Sequence, residues 1–195
     1  MRRSQAHQEW EGARARRLDE FEEVHRRVGA VARGRRYFTS QLDRGYLLGI
    51  AAEFQGFCRD LHSEATAAII ATLPVAARPV VAENFNHRRA LDSGNPRAGN
   101  LGSDFGRLDI ELWPDLNRKL RGGRERQVKL EQVMIWRNSI AHQAPIATAD
   151  LQKIGTTKPT LQQVKRWRKN FDVLARNFDE IARRGVRNIT GANPW

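Results

Sequence analysis

In Leu130-Glu131-Gln132-Val133-Met134-Ile135-Trp136-Arg137-Asn138-Ser139-Ile140-Ala141-His142-Gln143, the apolar residues Leu130, Val133, Met134, Ile140 and Ala141 recur at helical spacing. They mark one face of an amphipathic helix. Arg137 falls on the same stripe, one turn after Met134 and two after Leu130. A guanidinium there has to be paired, or has to face a cavity or an interface, because an isolated buried charge is too costly. Pro145 disfavours helix at Ala144. Arg137 is therefore expected in the final turn, with His142 at or just past the cap. On a straight helix the two lie about 140° apart, and they converge if the last turn opens.

The rest of the chain reads as helix in the same way. Residues 42–73 carry the cleanest stripe: Leu47, Ile50, Ala51, Phe54, Cys58, Leu61, Ala65, Ala68 and Ile69, with Pro74 as the stop. Glu53, Asp60, Glu64 and His62 lie off that stripe and read as surface, although one of the acids could pair with Arg137 or orient His142. Residues 7–33 form an Arg-rich amphipathic helix ended by Gly34, Arg35 and Arg36. It reads as the first helix of a bundle, ahead of an arm against a partner subunit. A short helix follows around Pro79, Val80, Val81 and Phe85.

Residues 86–107 are rich in Gly, Asn, Ser and Pro and are expected to be a long flexible loop. Leu108, Leu112, Leu116 and Leu120 imply a short helix near Pro114, stopped by Gly122-Gly123, so the motif helix starts near Arg124. Residues 143–159 read as loop. Thr160 with Gln163 is a capping box for a last helix carrying Leu161, Val164, Trp167, Phe171, Leu174, Ala175, Phe178 and Ile181 as far as about Arg184. Residues 186–195 are expected to be an irregular tail. No segment alternates as a strand. The fold class is all-α: residues 1–195 form a single-domain helical bundle of five to six helices.

Composition narrows the partners. Net charge is +12 and the isoelectric point is near 11.0, which points to a polyanion, most simply a nucleic acid. Arg outnumbers Lys 28 to 6, so a single arginine is weak testimony for any role. The lone Cys58 excludes an internal disulfide and a cysteine zinc site and reads as a small buried hydrophobe. No metal site and no cofactor motif is found. There is no secretory leader and no apolar run long enough to span a membrane, so a cytoplasmic location is expected.

Within 86–107, Arg88, Arg89 and Arg97 are candidates to grip an RNA backbone, as are Lys165, Arg166 and Lys169 in the last helix. Trp167 and Phe171 interleave with that second patch, but their place on the apolar stripe assigns them to the core rather than to base stacking.

Arginine carries a planar permanent cation suited to phosphate, and histidine moves protons near neutrality. Together they suffice for metal-free cleavage of RNA, with the 2′-hydroxyl as nucleophile, His142 as general base or acid and Arg137 stabilising charge on the phosphate. Spacing alone is weak: about 0.7 chance matches to Arg-four-residues-His are expected in so Arg-rich a chain. Arg2 and His7 are one such match, in a polar segment.

The full string Arg137-Asn138-Ser139-Ile140-Ala141-His142, at the end of an apolar-periodic helix, resembles the HEPN superfamily of small all-α proteins. The resemblance maps Arg137, Asn138 and His142 onto that family's motif, with Ser139 as a further supporting residue. It implies a bundle that forms a homodimer with two motifs facing one cleft. It also implies metal-independent endoribonuclease activity on RNA, in toxin–antitoxin or phage-defence settings with an antitoxin or defence-system partner. Some members carry a tyrosine two residues after the histidine, which a partner nucleotidyltransferase modifies. Ala144 stands there in this chain. Two other readings are a non-catalytic nucleic-acid-binding or scaffold module with the motif as helix cap or dimer contact, and a nucleotide-binding sensor.

Overall fold

A 37-residue helix, α3 (Arg35–Ala71), is the axis of the structure. In this computed structural model, residues 2–29, 35–155 and 159–195 are described. Before α3 come α1 (Gln5–Glu9), a π-helical turn (Trp10–Arg14) and α2 (Ala15–Gly29), which run on as one rod. After it come α4 (Arg78–Asn86), α5 (Ala90–Ser93), α6 (Ala98–Gly106), α7 (Leu112–Lys119), α8 (Gly123–Ala141), α9 (Thr148–Ile154) and α10 (Leu161–Thr190). The described residues are helical and contain no strand. The helices outnumber the five or six expected, because the segments read as loop fold into short helices.

α3 is enclosed on several sides, by α2, α8, α10 and the α5–α6 pair. Tyr46, Leu47, Phe54, Phe57, Cys58 and Leu61 are all buried, which no single stripe would achieve. Phe54 is the hub: it meets Phe171 of α10 edge-on at 4.5 Å and Trp10 at 5.8 Å. Trp167 and Phe171 are in the core, as their spacing predicted, and Cys58 is buried. Burial pushes the Cys58 thiol well above its ordinary range.

The first rod belongs to the bundle and packs on α3 and α10. Ser4 caps α1 by accepting from the His7 N–H at 3.0 Å. Glu64 of α3 accepts from the Gln5 and Ala6 N–H groups at 2.8 and 2.5 Å. The expected stop at Gly34 lies outside the described residues, and Arg35 and Arg36 open α3 instead of closing the helix before it. Thr160 caps α10 through the Gln163 N–H at 3.3 Å. The last helix also runs further than expected, to Thr190, so the tail is only 191–195. Gly185 does not break it. Gly185 lets α10 approach Ile110, whose Cγ1 lies 2.6 Å from where a Cβ would sit.

The segment 86–107 is the main correction. It folds as α5 and α6 and is pinned by a buried polar network rather than left as a loop. The Asp104 carboxylate accepts from the Ala90 and Leu91 N–H groups at 3.0 and 2.8 Å, capping α5 from a distance. His62, read as surface, is fully buried against this segment. Its Nε2 lies 3.1 Å from the Asp104 carbonyl oxygen, and its Nδ1 lies 3.2 Å from Arg89 Nη1. These partners require a neutral ring that donates from Nε2 and accepts at Nδ1.

Burial, and then the Arg89 guanidinium, lower the His62 pKa to about 4, against the opposing pull of the Asp104 carbonyl. The unfolded chain binds this proton near pH 6.5 and the folded one only near 4. Stability is therefore lost as pH falls through that window. The stake is on the order of 3 kcal/mol. His62→Gln should cost less at pH 4.5 than at pH 7, by about 2 kcal/mol in urea unfolding. An equal cost at both pH values would refute this account.

Candidate functional site

α8 carries the motif. Gly122, in the left-handed region at φ 86°, opens it. Leu130, Val133, Met134, Ile135 and Trp136 are buried, which seats the middle of the helix on α3 and α10. The stripe then runs out towards solvent: Arg137, Asn138, Ser139 and Ile140 are half-buried, while Ala141 and His142 are exposed. Arg137 is thus at the margin of the core, not inside it.

The helix end is tied by its own backbone. The His142 N–H donates to the Asn138 carbonyl at 3.0 Å, Gln143 to Ile140 at 3.4 Å and Ala144 to Ser139 at 3.1 Å. The last two bonds, with Gln143 at φ 51°, form a Schellman motif in which glutamine holds the position usually given to glycine. Ser139 Oγ donates to the Ala144 carbonyl at 2.7 Å and closes it further. His142 is therefore the C-cap residue, as expected, but the last turn does not open. With that turn closed, Arg137 and His142 keep roughly the 140° separation of a straight helix.

A left-handed non-glycine costs about 1 kcal/mol. Gln143→Gly is expected to stabilise the fold by about 0.5–1 kcal/mol and to raise Tm by about 2–3 °C in calorimetry. A lower Tm would show that the glutamine side chain contributes more than its backbone costs.

Arg137 Nη1 donates to Asn138 Oδ1 at 3.2 Å and forms no ion pair among the described residues. Asn138 Oδ1 also accepts from Asn95 Nδ2, so the α5–α6 connection reaches the motif. The Glu131 carboxylate, one side of α8, accepts from the Ala98 N–H at 2.7 Å. The His142 ring makes no hydrogen bond or ion pair with the described residues. Of the three acids considered as partners, none reaches the motif. Glu53 binds Arg14 and Arg17, Asp60 binds Arg14, and Glu64 caps α1.

The expected RNA-gripping residues divide. Arg88, Arg97, Arg166 and Lys169 are exposed. Lys165 is exposed but pairs with Glu22 at 2.7 Å. Arg89 is buried and committed to Asp92 at 2.8 Å and to Ser63 Oγ at 2.9 Å, so it is a structural residue and not a backbone contact. Arg88 and Arg97 flank α5, while Arg166 and Lys169 lie on α10, so these cations occupy two separate places.

Sequence reasoning missed a cleft of about 460 Å³ between α3 and the end of α8, lined by Gln41, Arg44, Trp136, Ser139, Gln143 and neighbours. Neither Arg137 nor His142 lines it. Also missed is a mainly basic cleft of Arg118, Lys119, Arg184 and Asn188, with Asp115 paired to Arg118 in its wall. There, partial burial together with Arg184, Arg3 and Arg183 outweighs Glu180 and lowers the Lys119 pKa. Neither cleft follows a periodic or motif signal, since each joins residues far apart in the chain.

No family model matches the chain, and no curated protein and no solved structure matches it. No helix of the described residues is long and apolar enough to cross a membrane.

Proposed function

We propose that the chain is a metal-independent endoribonuclease of the HEPN type, working on RNA as a cytoplasmic homodimer in a toxin or phage-defence setting. His142 takes the proton of a ribose 2′-hydroxyl. The oxygen attacks the adjacent phosphorus, and the bond to the 5′-oxygen breaks as a second His142, from the facing chain, returns a proton to it. Arg137 balances charge on the phosphate, and Asn138 holds Arg137 in place. The products are a 2′,3′-cyclic phosphate and a 5′-hydroxyl.

One observation carries this reading. Neither motif side chain is used to finish the helix, because backbone N–H groups and Ser139 cap α8. That weakens the helix-cap alternative, since an Arg and a His retained as caps would bind the last carbonyls. Arg137 is left at the core margin without an acid among the described residues, which suits an anionic ligand or an interface.

The alternative non-catalytic binding module draws on a different observation, the closed last turn, which keeps Arg137 and His142 on different sides of α8. Two facing chains answer it, because each can supply one half of the pair. The test is incubation of mixed RNA with the wild type in EDTA. Cyclic-phosphate ends are expected. Binding without cleavage would transfer the assignment to the binding module.

A further inference from the structure

The cleft between α3 and α8 presents three polar side chains without partners among the described residues. Trp136 lines it, is 7% exposed, and its indole N–H has no acceptor anywhere in the described protein. That nitrogen is itself sealed from solvent, so Trp136 gives the cleft an apolar wall rather than a donor. Around it stand Arg44, which is exposed, and the side chains of Gln41 and Gln143. None of these three side chains hydrogen-bonds or ion-pairs within the described residues. The cleft therefore offers one cation, two amides and an indole wall to a single ligand. Its volume lies in the range of small-ligand pockets.

Two neighbours indicate the ligand class. Tyr37 lies one turn before Gln41 on the same face of α3. Tyr37 and Phe38 are 68% and 60% exposed, with their rings edge to face at 5.9 Å. Exposed aromatics beside a cation and amides form a platform on which unpaired bases stack. On α8 the cleft and the motif interleave. Trp136 precedes Arg137, Ser139 follows Asn138, and Gln143 follows His142. The cleft and the motif therefore share the last turns of α8 but face different sides of it, so a strand that reaches both wraps the helix end.

We propose that this cleft seats one nucleotide of single-stranded RNA next to the scissile bond. Its phosphate lies on Arg44, its base edge meets the amides of Gln41 and Gln143, and the following base stacks on Tyr37 or Phe38. The place of the nucleotide relative to the scissile bond rests on the endoribonuclease reading; binding of the nucleotide does not.

The test is binding of a short 2′-fluoro single-stranded RNA, which lacks the nucleophile, followed by fluorescence anisotropy. Arg44→Ala should raise Kd about tenfold. Gln41→Ala, which removes an exposed amide that has no partner among the described residues, should raise it about threefold. His142→Ala should bind like the wild type. On cleavable RNA the two cleft variants should raise KM and leave kcat near its wild-type value.

Unchanged Kd in both cleft variants overturns the proposal. So does duplex RNA binding as tightly as the single strand, or a free mononucleotide competing as well as the oligonucleotide, which would make the cleft a nucleotide sensor. Loss of binding in Arg44→Ala with no cleavage by any form would keep the cleft and remove the nuclease reading. Cleavage lost only in His142→Ala, with KM unmoved in the cleft variants, would do the reverse.

Discussion

His142→Ala is expected to lower RNA cleavage in EDTA by about 10²–10⁴-fold, the range spanned by removal of a positioned general acid or base. It is expected to leave the fold almost untouched. The His142 ring is exposed and makes no hydrogen bond or ion pair with the described residues. What closes α8 is the backbone N–H of residue 142 on the Asn138 carbonyl, and alanine retains it. The change in stability should therefore stay within about 0.5 kcal/mol, as for a surface site with no special role.

Arg137→Ala should lose about 10²–10³-fold, and Arg137→Lys should recover only part of it, because a point charge replaces a planar fork. The measurements are single-turnover cleavage rates and thermal melts on the same preparations. A His142→Ala protein that melts like the wild type and still cuts at more than a third of its rate would remove the histidine from the mechanism. A variant that fails to fold would contradict the structure instead, since nothing packed depends on that ring.

Helical class, the core role of Trp167 and Phe171, the α10 cap at Thr160 and the position of His142 at the end of α8 were all legible as local patterns. Each depends on residues within one or two turns of one another. What was not legible depends on a second element. His62 follows Leu61 and looks solvated on a helix packed along one side, but α3 is packed on several sides, and α6 covers it. Arg89 reads as one of many spare cations until Ser63 and Asp92 are placed beside it.

The composition of 86–107 misled for a physical reason. Gly, Asn and Ser are poor helix formers, yet a distant carboxylate and packed Leu91, Leu101 and Phe105 supply what their propensity lacks. Ser139 was legible as part of the motif but not as a cap, because its acceptor, the Ala144 carbonyl, lies past the helix end. Trp136 stands outside the apolar stripe, and its burial depends on what α3 and α10 place around α8.

Asp104→Ala is expected to destabilise the protein by about 3–5 kcal/mol, the range for removing one member of a buried charged network. The Asp104 side chain is fully buried and holds the first two N–H groups of α5. Alanine leaves both donors without a partner beneath the surface. It also removes an anion that acts on the His62 ring, which sits against the Arg89 cation. For a chain of this length the loss corresponds to a fall in Tm of about 6–20 °C.

The damage should be local before it is global. Amide exchange should accelerate first across 86–107, while α3 and α10, which pack on each other through Phe54 and Phe171, stay protected until the whole domain opens. A cost under about 1 kcal/mol would mean that α5 and α6 hold through their apolar residues alone. The same variant bears on the site, because Asn95 lies between α5 and α6 and anchors Asn138, which holds Arg137. Loosening that connection frees the guanidinium to leave its position. Cleavage should then fall at temperatures where Asp104→Ala is still folded, while binding through Arg44 on α3, at the other side of α8, persists.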